Sequence, residues 1–148
     1  MSMALALEWA EKGQRAQEVP VGAVLVMDGC IIAQDHNRVE EKQCPFAHAE
    51  LLVLYHAHHF FKTKYLEAAD LYVTLEPCLL CASAIRLSRI RRLYFGAYDP
   101  KGGGVDHGPR LLFKGPTEVV GGIEEQKSIR LLKQFFSKKR GLSGCPDF

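Results

Sequence analysis

Apolar and polar residues in the N-terminal part of the chain follow first a helical period and then a strand period. Apolar residues at positions 3, 4, 5, 7, 9 and 10, with charges between them, predict an amphipathic helix over Met3–Ala16. Val21–Met27 is an apolar, β-branched run, Asp28-Gly29 is a typical hairpin turn, and Cys30–Ala33 is apolar again. The segment therefore predicts a helix followed by two antiparallel strands.

The middle of the chain continues with a loop, a helix and a strand. Residues 37–45 are polar and end in a proline, which predicts a loop leading into a helix that begins near Ala47. That helix would carry His48 and Glu50 in its first turn. Leu71–Leu75 has the composition of a short strand.

The alternation of helices and strands extends to the C-terminal part. Pro77 suits the first turn of a helix that includes the apolar stretch Leu79–Leu87. Arg92–Ala97 predicts another strand, the glycine-rich segment Asp99–Gly108 a loop, and Glu124–Lys138 a closing amphipathic helix. Strands separated by helices predict an α/β fold, in which a mixed sheet is covered by helices.

Composition limits the class of protein. The 148 residues, 47% of them apolar, suffice for one domain with a continuous core, so we expect a single domain over residues 1–148. No stretch approaches the ~20 uninterrupted apolar residues needed to span a bilayer, and Glu8, Glu11 and Lys12 interrupt the first helix. We expect a soluble cytoplasmic protein with no membrane association. Five cysteines without an export signal argue against a disulfide framework.

Basic residues are clustered, although the formal net charge is only +2. The two clusters are Arg86, Arg89, Arg91 and Arg92, and, further on, Lys127, Arg130, Lys133, Lys138, Lys139 and Arg140. Such runs are consistent with a solvated surface and equally with a surface that contacts phosphates. A nucleic-acid interface is therefore one of two interpretations.

Two short motifs together offer one imidazole and two thiols. His48-Ala49-Glu50 and Pro77-Cys78-Leu79-Leu80-Cys81 each lie at the start of a predicted helix. This donor set suits zinc, and helix N-termini help to keep thiolates ionised. Structural zinc normally takes four protein ligands. The three ligands His48, Cys78 and Cys81 therefore predict one catalytic Zn2+ per chain, with an open position for water.

Glu50 follows the histidine ligand by two positions. Since it is not needed as a fourth ligand, its predicted catalytic role is to carry protons between the water and the leaving amine. Taken alone, a Cys-x-x-Cys motif could be a redox pair, and His-x-Glu is common on ordinary helices. The combination, with Pro77 before Cys78, favours a zinc-dependent deaminase.

Several segments resemble bacterial tRNA adenosine deaminases of the TadA type. They are Glu18–Val26, Asn37-Arg38, Leu71–Cys78 and Phe95–Ala97, and the resemblance extends from about Ala4 to Arg140. The two motifs alone are shared by the wider cytidine deaminase-like superfamily, which includes cytosine, guanine and riboflavin-pathway deaminases. The resemblance implies a three-layer α/β/α sandwich around a mixed five-stranded sheet.

The resemblance also implies an activity and a set of substrate contacts. That family deaminates the wobble adenosine of a tRNA anticodon stem-loop to inosine, works as a homodimer, and takes the extruded base into a pocket over the zinc. Asn37 corresponds to an asparagine that contacts the nucleoside, and Asp99 to an acidic residue near the substrate backbone. The base pocket would be lined by Val21, Gly22 and Ala23. From the residues alone, loop capping, a turn and a buried strand are the ordinary alternatives.

The chain departs from this family in two places. Phe46 stands where a threonine is usual, and the glycine-rich loop lacks the usual histidine-bearing stretch. His107 and Arg110 could contact nucleic acid in its stead, and Phe113 could stack on a splayed base.

The remaining metal-capable residues are given structural interpretations. His56, His58 and His59 are interpreted as surface or capping residues near a helix end rather than as a second metal site. Cys30 is interpreted as a small core residue of a strand.

Two alternatives to a tRNA deaminase stay open. A deaminase of a free nucleobase or nucleoside, such as cytosine or guanine, would use the same metal centre with a closed, small pocket. A non-catalytic, zinc-stabilised RNA-binding partner subunit would use the metal only to join two helices, and it would have no need of Glu50. The main prediction is hydrolytic deamination of adenosine to inosine in tRNA.

Overall fold

The computed structural model describes residues 2–107 and 115–143, with side chains up to residue 139. Within these ranges the elements are α1 (Ser2–Arg15), β1 (Gly22–Met27), β2 (Cys30–His36), α2 (Val39–Lys42), α3 (Ala49–Phe61), β3 (Ala69–Leu75), α4 (Leu79–Leu87), β4 (Arg92–Ala97), β5 (Glu118–Val120) and α5 (Glu125–Ser143). No helix in the described ranges combines the length and apolar character needed to cross a bilayer.

The strands form one mixed sheet in the order β2-β1-β3-β4-β5. β1 is antiparallel to both β2 and β3, whereas β3, β4 and β5 are parallel to one another. Helices α1 and α5 cover one face of the sheet, and α3 and α4 cover the other. The predicted α/β/α sandwich with a mixed five-stranded sheet is confirmed.

Side chains of the interior strand β1 alternate between two apolar cores. Ala23 and Leu25 pack with Val53 of α3 in the larger core, and Val24 packs with Leu7 of α1 in the smaller one. Because helices cover both faces of the sheet, the side chains on both faces of this strand are apolar. That is why the strand appears in the sequence as a continuous apolar run.

The topology brings four chain segments to one edge of the sheet. β2, β3 and β4 end at this edge and β1 begins there, since β1 runs opposite to β2 and β3 while β4 runs parallel to β3. The residues next to these strand ends are Val21, Asn37, Glu76 and Asp99, and they define what we call the site edge. In α/β sheets, ligands bind outside the carboxyl ends of the strands.

Two short elements were not predicted from the residue pattern. The loop expected over residues 37–45 contains the four-residue helix α2, whose first backbone N–H groups are capped from outside. The buried Glu18 carboxylate accepts hydrogen bonds from the N–H groups of Glu40 and Glu41 at 3.0 and 2.9 Å. β5 has only three residues and is defined by its pairing with β4, in which Glu118 lies opposite Arg92.

The interpretation of Cys30 as a core residue is wrong. Its side chain is exposed, because it is the first residue of the edge strand β2 and lies directly after the hairpin turn, opposite Met27. The four described cysteines, Cys30, Cys44, Cys78 and Cys81, are free thiols.

Three arginines of the first basic cluster form ion pairs at the edge opposite the site edge. Arg91 donates to both carboxylate oxygens of Asp70, at 3.0 and 2.8 Å. Arg92 donates to Glu118 at 3.1 Å. Arg89 lies 3.5 Å from Glu67, with its guanidinium over the ring of Tyr65. For these residues the structure favours a solvated, self-paired surface over a phosphate-contacting one.

Candidate active site

Two helices that begin side by side at the site edge carry the metal-binding motifs. His48 is the residue immediately before α3 and Cys78 the residue immediately before α4, and both have extended backbone conformations. His48 therefore precedes the first turn of its helix, in which the sequence pattern had placed it. Cys81 is buried in the first turn of α4. The N-terminal ends of both helices, where unpaired N–H groups favour negative charge, thus face one point.

The imidazole of His48 lies against both sulfurs. Its Nδ1 is 3.3 Å from Sγ of Cys81 and 3.6 Å from Sγ of Cys78. In a tetrahedral zinc site with ordinary Zn–N and Zn–S bond lengths, a nitrogen and a sulfur are separated by about 3.5 Å. All three donor atoms lie within 4.8 Å of one another, and no other such group occurs in the described ranges. The residues therefore fit one zinc ion.

The electrostatics of the two thiols also favour a cation. The pKa of Cys78 is lowered to about 4, chiefly because its sulfur accepts a hydrogen bond from the Cys81 thiol. The pKa of Cys81 is raised, because that same hydrogen bond holds its proton and because it is buried. The hydrogen bond with Cys78 raises the pKa of His48. Two sulfurs that compete for one proton form a negative site, which suits a divalent cation.

Glu50 lies in the first turn of α3, beside the donor cluster. The residue lines the same cavity as His48 and Cys78 and is only 4% exposed. Burial raises the pKa of Glu50 to about 7. A carboxyl group in such a place can both accept and return a proton near neutral pH.

A cavity of about 410 Å³ opens over the donor cluster. His48, Glu50 and Cys78 contribute to its lining. One wall is formed by α5, through Leu132, Phe135, Phe136 and Lys139. A larger groove of about 660 Å³ lies between β2 and α3, but it contains none of the three metal-ligating residues. The smaller cavity is therefore the candidate active site.

The structure separates the predicted substrate contacts into two groups. Among the described residues that line the cavity are Val21, Asn37 and Asp99, whereas Gly22 and Ala23 are absent from that lining. Gly22 packs against the backbone of α1, where an added Cβ would collide with Ala6 O and Ala10 N, and Ala23 is completely buried in the larger core.

Asn37 is fixed in place by the metal-binding helix. Its side-chain oxygen accepts a hydrogen bond from the backbone N–H of Ala49 at 2.8 Å, so it satisfies one of the unpaired donors at the start of α3. The Asn37 side chain therefore caps α3 and also forms part of the cavity wall.

Two buried acids at the cavity were missed by the sequence reasoning, namely Glu18 and Glu76. Glu18 caps α2, as described above. Glu76 accepts hydrogen bonds from the loop over residues 99–107, including one from Nδ1 of His107 at 2.8 Å. The sequence feature that could have identified Glu76 is its position between an apolar strand and the motif Pro77-Cys78.

The remaining predicted residues lie elsewhere or outside the described ranges. His107 is turned towards Glu76 and does not line the cavity as far as the chain is described. Arg110 and Phe113 fall in residues 108–114, outside the described ranges. His58 lies near the end of α3. Its Nδ1 is hydrogen-bonded to Thr63 O at 2.7 Å, and its Nε2 is hydrogen-bonded to Ser88 Oγ at 2.8 Å.

The sequence is similar to zinc-binding deaminases. Residues 1–97 match the family described as the cytidine and deoxycytidylate deaminase zinc-binding region. The tRNA-specific adenosine deaminase of Agrobacterium fabrum is 49% identical over an aligned length of 143, and the alignment covers 93% of each chain. The tRNA-specific adenosine deaminase of Bacillus subtilis is 46% identical over an aligned length of 139, and the alignment covers 91% of this chain and 86% of that protein.

Solved structures show the same fold. One, from a study of A-to-I editing by tRNA:A34 deaminases at the wobble position of transfer RNA, has a TM-score of 0.84 and 47% identity, covering 88% of this chain and 98% of that one. A guanine deaminase from Nitrosomonas europaea has a TM-score of 0.81 and 28% identity, covering 92% of this chain and 83% of that one. Enzymes named for different bases therefore share this architecture.

Replacement of Cys81 by alanine should remove the metal. We expect one zinc per chain in the purified protein and a loss of zinc affinity on the order of 100-fold or more in Cys81→Ala, because a ligand is lost. Cys44→Ala is the matched control, since Cys44 lies outside the donor cluster. Native mass spectrometry measures the number of zinc ions per chain, and a competition titration with a chelator measures the zinc affinity. Equal zinc binding by the two variants would exclude this cluster as the site.

Proposed function

Because the chain belongs to the family of zinc-binding deaminases that includes the tRNA-specific adenosine deaminases, we propose that it converts the wobble adenosine of a tRNA anticodon to inosine. The observation that carries the proposal is the convergence of His48, Cys78 and Cys81 on one point, with Glu50 beside them in an open cavity. The reaction consumes one water, breaks the bond between C6 of adenine and its amino nitrogen, forms a C6–O bond and releases ammonia.

His48, Cys78 and Cys81 would hold the zinc ion. When bound there, zinc lowers the pKa of a water molecule towards neutrality and so supplies hydroxide at physiological pH. The cluster offers three protein ligands where structural zinc normally takes four, and a set of three is typical of catalytic zinc.

Glu50 would move the protons. The proposal is supported by the position of Glu50, which is buried and lines the cavity together with His48 and Cys78. It takes one proton from the water, delivers it to the ring nitrogen of adenine, and then transfers the second to the departing amino group. A non-catalytic RNA-binding subunit would have no use for a buried carboxyl group at this point.

The cavity wall would hold the extruded nucleotide. Val21 and Asn37 contact the base and nucleoside in this proposal, and Asp99 lies towards the backbone. Phe135, Phe136 and Lys139 line the same cavity, and the Lys139 ammonium lies 5.5 Å from the centre of the Phe135 ring. Aromatic rings and cations are groups that typically contact single-stranded RNA loops.

We also propose that each chain folds as one domain, that two chains form a homodimer, and that the enzyme acts in the cytoplasm. Large apolar side chains are exposed near the start of α3 and along α4, and association with a second copy would remove them from water. These side chains are Phe46, Leu79, Leu80 and Leu87.

A substrate comparison tests the proposed function. The zinc-loaded chain should form inosine from an anticodon stem-loop with adenosine at the wobble position, and should release little ammonia from free cytosine, guanine or adenosine. The rival, a free-base deaminase, is supported by the similarity to guanine deaminase at 28% identity. Turnover of a free base alone would establish the rival and refute the tRNA assignment.

The glutamate should be required for chemistry and not for the metal. We expect Glu50→Gln to retain one zinc per chain and to lose about 10²–10⁴-fold in the rate of inosine formation under single-turnover conditions, the range for loss of a general acid–base. Glu118→Gln, an exposed carboxylate paired with Arg92, should keep the wild-type rate. Wild-type turnover by the Glu50 variant would assign the proton transfers to another group.

Salt dependence should distinguish the two basic clusters. If Lys139 meets a phosphate, Lys139→Gln should reduce the slope of log affinity for the stem-loop against log salt concentration by about 1. Arg91→Gln should leave the slope unchanged, because Arg91 pairs with Asp70 at the opposite edge. Fluorescence anisotropy over a range of KCl concentrations measures both. An unchanged slope for Lys139→Gln would remove Lys139 from the RNA interface.

A further inference from the structure

The carboxylate of Glu76 is completely surrounded by donors from one loop. One oxygen accepts the backbone N–H of Asp99 at 3.0 Å and Nδ1 of His107 at 2.8 Å. The other accepts the backbone N–H groups of Val105, Asp106 and His107 at 3.2, 2.8 and 3.1 Å. The side chain is 0% exposed. All of its accepting capacity is therefore directed at the two ends of the loop over residues 99–107.

These hydrogen bonds occupy the carboxylate fully. A carboxylate has about four acceptor sites, and the Glu76 oxygens receive five donors. The side chain therefore has no accepting capacity left for a water or a substrate.

Glycines of the same loop allow this close packing. A Cβ at Gly103 would collide with the Glu76 carboxylate, and a Cβ at Gly104 would collide with the backbone of Leu79 at the start of α4. The N–H of Gly104 donates to Pro77 O at 2.8 Å. The loop is therefore packed against both the acid and the metal-binding helix.

The loop held in this way forms part of the cavity wall. Asp99 and Gly102 line the cavity, and Gly103 forms an isolated β-bridge with the metal-ligating Cys78. The Asp99 carboxylate is oriented in turn by the N–H groups of Lys101 and Gly102, at 3.2 and 3.0 Å. One buried side chain thus connects the segment that carries a zinc ligand with the wall that faces a substrate.

We propose that Glu76 is a positioning residue that fixes the loop over residues 99–107 as the substrate-facing wall, and that it thereby sets the affinity for the anticodon loop without touching the reacting atoms. The inference rests on the proposed function for the identity of the substrate. The anchoring itself rests only on the contacts of Glu76. Each buried N–H left without an acceptor is costly, so the loop should leave its present position when the acid is replaced.

Glu76→Gln is the first test, because it keeps the shape and replaces one accepting oxygen by a donor. With the zinc-loaded full chain and a wobble-adenosine stem-loop, we expect KM to rise at least tenfold and kcat to change less than threefold, with one zinc still bound. The matched control is Thr117→Val, which removes the buried hydrogen bond from Thr117 to Ile90 O far from the cavity. It should lower stability while leaving KM unchanged.

Gly103→Ala tests the same contact from the loop side, and it serves if the Glu76 variant does not fold. The added methyl group collides with the carboxylate, so the same rise in KM is expected. Amide hydrogen exchange provides a second measurement, in which the N–H groups of residues 99 and 105–107 should exchange at least tenfold faster in both variants.

The outcomes separate this inference from the proposed function. An unchanged KM and unchanged exchange at residues 105–107 would overturn the positioning role, and so would a loss of zinc in proportion to the loss of activity. If the wild-type chain forms no inosine, the proposed function fails. Faster exchange in both variants would then still support the anchoring of the loop, and unchanged exchange would refute it.

Discussion

The site depends on the approach of one imidazole to two sulfurs at the ends of two neighbouring helices. His48 and Cys78 can meet because β2 and β3 both end at the site edge, so the helices that follow them begin side by side. The N-terminal ends of α3 and α4 favour negative charge, and the hydrogen bond from Cys81 further stabilises the Cys78 thiolate. Sheet topology thus determines where the metal binds, and the helix ends provide the electrostatic environment that it requires.

Hydrogen bonds to polar side chains hold the irregular segments around this centre in place. The Glu18 carboxylate caps α2, the Asn37 amide oxygen accepts a hydrogen bond from the N–H of Ala49, and the Glu76 carboxylate accepts hydrogen bonds from the loop over residues 99–107. Each of these side chains lies next to a strand end or a helix start and accepts backbone donors that would otherwise lack partners. The cavity is therefore built from loops whose positions are fixed by hydrogen bonds rather than by an apolar core alone.

Much of this arrangement was accessible from the sequence, because it depends on local patterns. Apolar periodicity gave the order of the main helices and strands, and the combination of His-x-Glu with Pro-Cys-x-x-Cys gave the metal centre. Features that depend on long-range partners were not accessible. β5 exists because β4 offers it an edge, Arg91 is paired because the fold brings Asp70 beside it, and Cys30 is exposed because β2 is an edge strand. The wall contributed by Phe135 required knowing where α5 packs.

Zinc K-edge absorption spectroscopy on the purified chain is the most direct measurement of the central claim, which is a metal centre with three protein ligands and one open position. Zinc held by His48, Cys78 and Cys81 should show two sulfur neighbours at about 2.3 Å and two nitrogen or oxygen neighbours at about 2.0 Å, with one of the latter replaced when a transition-state analogue binds. A shell containing a third sulfur, or a shell that does not change on binding of the analogue, would contradict it.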